Sequence, residues 1–110
     1  MKTLTLQLGK KLYTASRVTA WQSREAFAIN RDQLEFVRKA KSLENPTEDD
    51  MADILKQMEE SNDRKANLIC EVYGNKFTSD VLLKSLTSEE VDEQINNLVY
   101  GIMGIVQKNG

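Results

Sequence analysis

Residues 71–90 read Glu71-Val72-Tyr73-Gly74-Asn75-Lys76-Phe77-Thr78-Ser79-Asp80-Val81-Leu82-Leu83-Lys84-Ser85-Leu86-Thr87-Ser88-Glu89-Glu90, and they hold one helix stop and two helix starts. Val72 and Tyr73 close an apolar helix face, after which Gly74 or Asn75 can take the left-handed conformation that ends a helix. Thr78 offers a hydroxyl to cap a short helix carrying Val81, Leu82, Leu83 and Leu86. Thr87 stands three residues before Glu90, the spacing of a capping box, just ahead of the apolar series Val91, Ile95, Leu98. A long helix ends here, a short one crosses, and a last helix departs. Gly74, Phe77, Thr78, Thr87 and Glu90 are therefore structural residues of a helix corner.

Working outward toward the C-terminus, Val91, Ile95, Leu98, Ile102 and Ile105/Val106 recur at alternating spacings of four and three, widened by Val99 and Met103. This face, over a helix predicted for 87–107, is broad enough for a core and a neighbour together. Gly101 and Gly104 interrupt it. Close approach of another helix and fraying near the terminus both account for them.

Toward the N-terminus, Pro46 ends one helix, and Thr47 caps the next, predicted over 47–73, with Glu48, Asp49 and Asp50 in its first turn. These acids lack the spacing and glycine of a calcium loop, so they read as dipole decoration. Met51, Ile54/Leu55 and Met58 define the expected buried face, followed by a solvated stretch over 59–65 and a return to the core at Leu68, Ile69 and Val72. The first long helix is predicted over 17–43, with Val18, Trp21, Ala28/Ile29, Phe36, Ala40 and Leu43 as its apolar face. Beside that face Arg17, Arg24, Arg31 and Arg38 recur every seven residues, which winds only about 20° per step. Two readings fit the stripe: a solvated face with local pairs such as Arg31–Glu35 and Glu35–Lys39, or a docking stripe for an acidic partner surface or for phosphates. At the start of the chain Leu4, Leu6 and Leu8 alternate with Thr3, Thr5 and Gln7, and Gly9-Lys10 turns the chain back through Leu12 and Tyr13. A two-stranded hairpin over 1–15 follows. The fold class is mainly α, about four helices packed with an N-terminal β-hairpin in a single domain.

The totals limit function. At 110 residues, 40% apolar and 29% charged, the chain makes one soluble globular domain. The net charge of −2 conceals +5 over residues 1–45 and −7 over 46–110, a split that favours head-to-tail contact between copies as well as docking within one chain. With no histidine, imidazole catalysis and His-ligated metals are excluded. The single cysteine, Cys70, lies among apolar residues and reads as core. No nucleotide-binding or nucleophile-elbow motif occurs, and no cofactor is expected. No apolar run approaches the roughly 18 residues of a membrane span, and no signal-peptide core is evident, so a cytoplasmic protein without a membrane role is expected. A pI near 5.2 argues against nucleic acid, although a small helical DNA-binding regulator using the arginine stripe is the alternative function.

Ile69, Val72, Tyr73, Gly74-Asn75-Lys76-Phe77-Thr78, Val81-Leu82 and Leu86, with Leu4-Leu6-Leu8-Gly9-Lys10 and Arg24-Glu25-Ala26 upstream, resemble tail assembly chaperones of long-tailed phages, the type common in phages and prophages of Gram-positive bacteria. The family pattern is a short hairpin, an arginine-bearing first helix, a second helix ending in aromatic-Gly-Asn, and Phe-Thr opening a short helix. Lys84-Ser85-Leu86 departs from it, standing where an acidic-glycine turn is commoner. The resemblance implies a non-enzymatic protein of the host cytoplasm that is absent from the mature virion. Its implied partners are the tape-measure protein, the tail-tube protein, further copies of itself in a homo-oligomer, and a frameshift-extended form. For the last, Gln107-Lys108-Asn109 can be encoded by a slippery A-AAA-AAC heptamer. With the resemblance in view, Arg17, Arg24, Arg31 and Arg38 and the apolar residues Val91, Ile95, Leu98 and Ile102 are the candidate residues for partner binding and self-association.

Overall fold

The structure, a computed structural model, describes the backbone of residues 3–103 and side chains through residue 99. The expected helix end at 107, Gly104, Ile105/Val106 and Gln107-Lys108-Asn109 lie outside the described residues. Two antiparallel strands, β1 (Leu4–Leu8) and β2 (Lys11–Ala15), precede four helices: α1 (Ala20–Ser42), α2 (Glu48–Val72), α3 (Ser79–Ser85) and α4 (Ser88–Met103). The mainly helical fold with an N-terminal hairpin is the one read from the sequence.

Local chemistry sets the boundaries. Gly9 turns the hairpin at φ +61°, and Leu4 pairs with Ala15, Leu8 with Lys11. Leu6 and Leu8 are buried on the inner face while Thr3, Thr5 and Gln7 face water. Leu12 points outward and is exposed.

Threonine opens every helix. The Gln22 N–H donates to Thr19 Oγ1 at 3.2 Å while the Thr19 N–H donates to Gln22 Oε1 at 3.0 Å, a capping box that starts α1 at Ala20. Arg17 therefore precedes the helix instead of riding on it. Thr47 with Asp50 and Thr87 with Glu90 make the same reciprocal pair ahead of α2 and α4. Thr78 caps α3 through the Val81 N–H at 3.2 Å. At the end of α2 the Asn75 N–H donates to the Cys70 carbonyl (2.8 Å) and the Gly74 N–H to that of Glu71 (3.0 Å). This is a Schellman stop, with both Gly74 (φ +79°) and Asn75 (φ +56°) left-handed.

The core is concentrated at one end. Ala26 and Ile29 of α1, Ala66, Leu68, Ile69, Cys70 and Val72 of α2, Leu82 of α3, and Val91, Ile95, Leu98 and Val99 of α4 meet Leu6, Leu8 and Ala15 of the hairpin. Burying each large aliphatic side chain stabilises by about 1.5–3 kcal/mol. Tyr13 stacks edge-on against Phe77 with centroids 4.9 Å apart, fastening the hairpin to the α2–α3 corner. At 23 and 25 residues, α1 and α2 are each about 35 Å long or more, well beyond the reach of this core. Their far ends, joined by the loop at 43–47, project as an arm. The radius of gyration of 15.4 Å exceeds the roughly 13 Å of a compact chain this size for that reason.

Candidate interaction surfaces

The arm has an inner seam and two outer faces. On α1 and its C-cap the inner positions Ile29, Gln33, Phe36, Ala40 and Leu43 follow spacings of four and three, and on α2 Asp50, Ile54, Gln57, Ser61 and Arg64 do the same. All are buried or half-buried. This corrects two expected faces. Trp21 is half exposed, and the core position beside it is Gln22, whose amide closes the cap and reaches the Glu71 carbonyl. Met51, Leu55 and Met58, assigned to a buried face from their spacing, are 46%, 58% and 48% exposed. Their stripe does continue the α2 core face of Lys65 and Ile69, but no other helix extends over it in the arm.

The junction of arm and core is tied by charge. Arg64 donates two hydrogen bonds to Glu25 (2.9 and 3.0 Å) and one to Asp32 (2.8 Å). The bidentate pair with Glu25, then Asp32, raises the guanidinium pKa further above its ordinary value, and the Arg64 hydrogen bond holds the Asp32 carboxyl below its own. Lys65, expected in a solvated stretch, is buried and donates to Asp92 at 2.7 Å, linking α2 to the N-terminal part of α4. Neither role is visible in the spacing of the sequence. A cue is that Arg64-Lys65 sits where the apolar pattern resumes.

A cleft of about 730 Å³ runs between α1 and α2 in the arm. Phe36 and Val37 on one side face Gln57 and Met58 on the other, and Ser88 and Asp92 of α4 stand at its inner end. A hollow of about 450 Å³ lies along the outer face of α1, where Phe27, Arg31, Leu34 and Arg38 are neighbours at helical spacing. Phe27 and Leu34 are 40% and 65% exposed there.

The candidate residues are thus dispersed. Arg24, Arg31 and Arg38 share the outer face of α1, and all are exposed; Arg31 bonds the adjacent Asp32 at 3.2 Å, not Glu35. Arg17 is exposed in the segment before the helix. Val91, Ile95 and Leu98 turn inward, each 3% exposed, and are occupied by the protein's own core. Ile102 belongs to α4, but its side chain lies outside the described residues. Of the exposed residues, Phe27, Leu34 and Val37 were assigned no role from the sequence, and Met51, Leu55 and Met58 were assigned to a buried face. The signal was present on α1: two apolar stripes on one helix, one of them interleaved with arginines, leave one for the outside.

Among the described residues no cluster of His, Cys, Asp or Glu is placed to hold a metal ion, and no helix is long and apolar enough to cross a membrane. Cys70 is buried, and desolvation pushes its thiol pKa up, away from nucleophilic use. A family model described as phage tail chaperone protein matches residues 1–109, and the chain belongs to that family, whose members are generally non-enzymatic. Neither the curated proteins nor the solved structures include a match to it.

Proposed function

We propose that this tail chaperone binds the tape-measure protein during tail assembly, helps recruit the tail-tube protein to it, and associates with further copies of itself head to tail. The observation that carries the reading is the arm, where apolar side chains remain exposed along two helices that have outrun their core. A tape measure is a long helical protein whose apolar stripes need cover until the tube encloses it. The cleft beside Phe36, Val37 and Met58 suits one amphipathic helix laid into a groove, with methionine adapting to varied partners. The buried face of α4 serves the fold, so the binding role shifts from Val91, Ile95 and Leu98 to the arm.

In this reading the protein performs no chemistry, acts in the cytoplasm of the infected cell, and departs before the virion is complete. The test is co-expression of a tagged copy with the tape-measure and tail-tube proteins of the same phage. Co-purification of the tape measure, with tube protein joining only when the tape measure is present, is the expected result. A tagged protein recovered alone under low-salt conditions would overturn it.

A further inference from the structure

The two outer faces of the arm point in opposite directions and carry opposite charge. On α1, Arg24, Phe27, Arg31, Leu34 and Arg38 follow spacings of three and four, on the side turned away from α2. On α2, Glu48, Ala52, Leu55, Glu59 and Asp63 are all exposed on the side turned away from α1. One face is arginine alternating with apolar residues; the other is carboxylate around Leu55, with Met51 and Met58 alongside. Even the minority charges match, since Glu35 borders the basic face and Lys56 the acidic one.

From this we infer that the outer face of α1 in one copy docks on the outer face of α2 in the next. The inference rests on the head-to-tail association proposed above and names its surface. Register supports it. Within one chain Arg64 reaches both Glu25 and Asp32, so residue 64 of α2 stands level with the middle of that span on the antiparallel α1. Copies set side by side at equal height then bring Arg31 between Glu59 and Asp63, and Arg38 against Leu55. The contact is heterologous, each copy offering a different face at each side, so it propagates instead of stopping at a pair. Exposed charge pairs give little affinity singly, and here they orient a contact whose burial comes from Leu34, Leu55 and the flanking methionines.

Charge reversal tests the surface. Arg31→Glu with Arg38→Glu makes both outer faces acidic, and Glu59→Lys with Asp63→Lys makes both basic; these exposed residues lie outside the core, so circular dichroism should match the parent protein. By light scattering across concentration at low salt, the parent protein should form concentration-dependent oligomers that recede as salt rises. Each variant alone should associate at least roughly tenfold more weakly. An equimolar mixture of the two should regain oligomers, because each then meets a complementary face. Parent oligomers that persist unchanged in both variants would overturn this interface while leaving self-association standing. A parent protein that is monomeric throughout would overturn self-association itself, and an equimolar mixture that stays dissociated would overturn the pairing of these two faces.

Discussion

Gly74 shows what a single residue contributes to the corner. Its φ of +79° is left-handed, and a Cβ there would meet nothing nearer than Lys76 Cε at 4.0 Å. The cost of Gly74→Ala is therefore backbone strain alone, about 1 kcal/mol, which should lower the melting temperature by roughly 4–8 °C in a domain this size. Tyr73, one residue earlier, donates its hydroxyl to Gln94 Oε1 at 3.2 Å, and Gln94 donates onward to the Thr5 carbonyl at 3.2 Å. Burial pushes the Tyr73 pKa up to about 12. A group raised in the folded state lends stability that is complete below its ordinary value near 10 and is lost as pH climbs through the folded value. Absorbance titration should find one tyrosine ionising only near pH 12 or on alkaline unfolding, and Tyr73→Phe should remove it; a Tyr73 that titrates normally would place its ring in water. Asp32 runs the other way. With its pKa held down by Arg64, its contribution is present above the ordinary carboxylate range and disappears as pH falls through the folded value, so Arg64→Leu should flatten the acid limb of the stability profile.

The elements divide by how much of them could be read from residues alone. The corner was legible because caps are local: Thr78, Thr87 and Glu90 need only their own neighbours to act, and Gly74-Asn75 needs only its conformation. The strand alternation of Leu4, Leu6 and Leu8 was equally direct. Burial on the long helices was not, because spacing tells which residues share a face and says nothing of whether another element reaches it. Met51, Leu55 and Met58 continue the face of Ile69, yet only the Ile69 end is roofed. Gln22 and Lys65 were missed for the converse reason: a polar residue enters the interior when its partner, the Glu71 carbonyl or Asp92, is brought to it by the fold. The helices should respond to substitution in sharp contrast. Ile95→Ala in α4 should cost about 2–5 kcal/mol in chemical denaturation, and Ile95→Asp should prevent folding. Leu34→Ser and Leu55→Ser on the arm should each stay within about 0.5 kcal/mol of the parent protein. Equal losses at Leu34 and Ile95 would mean that the arm is roofed after all.

At the scale of the whole molecule, the sign split between the halves of the sequence becomes two opposed faces of one arm. The charge balance pointed to a head and a tail, while their location required the antiparallel pairing of α1 with α2. The same arm holds the cleft between Val37 and Met58, set apart from the core by the Arg64 and Lys65 ion pairs. Its exposed apolar surface is the feature that a stable fold has no use for and a holder of other helices requires. The direct test is the soluble yield of the tape-measure protein when it is co-expressed with this chain or with a Val37→Asp, Met58→Asp variant shown by circular dichroism to be folded. The parent protein should keep the tape measure soluble and bound, and the variant should let it aggregate. A tape measure equally soluble with either form would contradict the assignment of the cleft, and one insoluble with both would contradict the chaperone's hold on it.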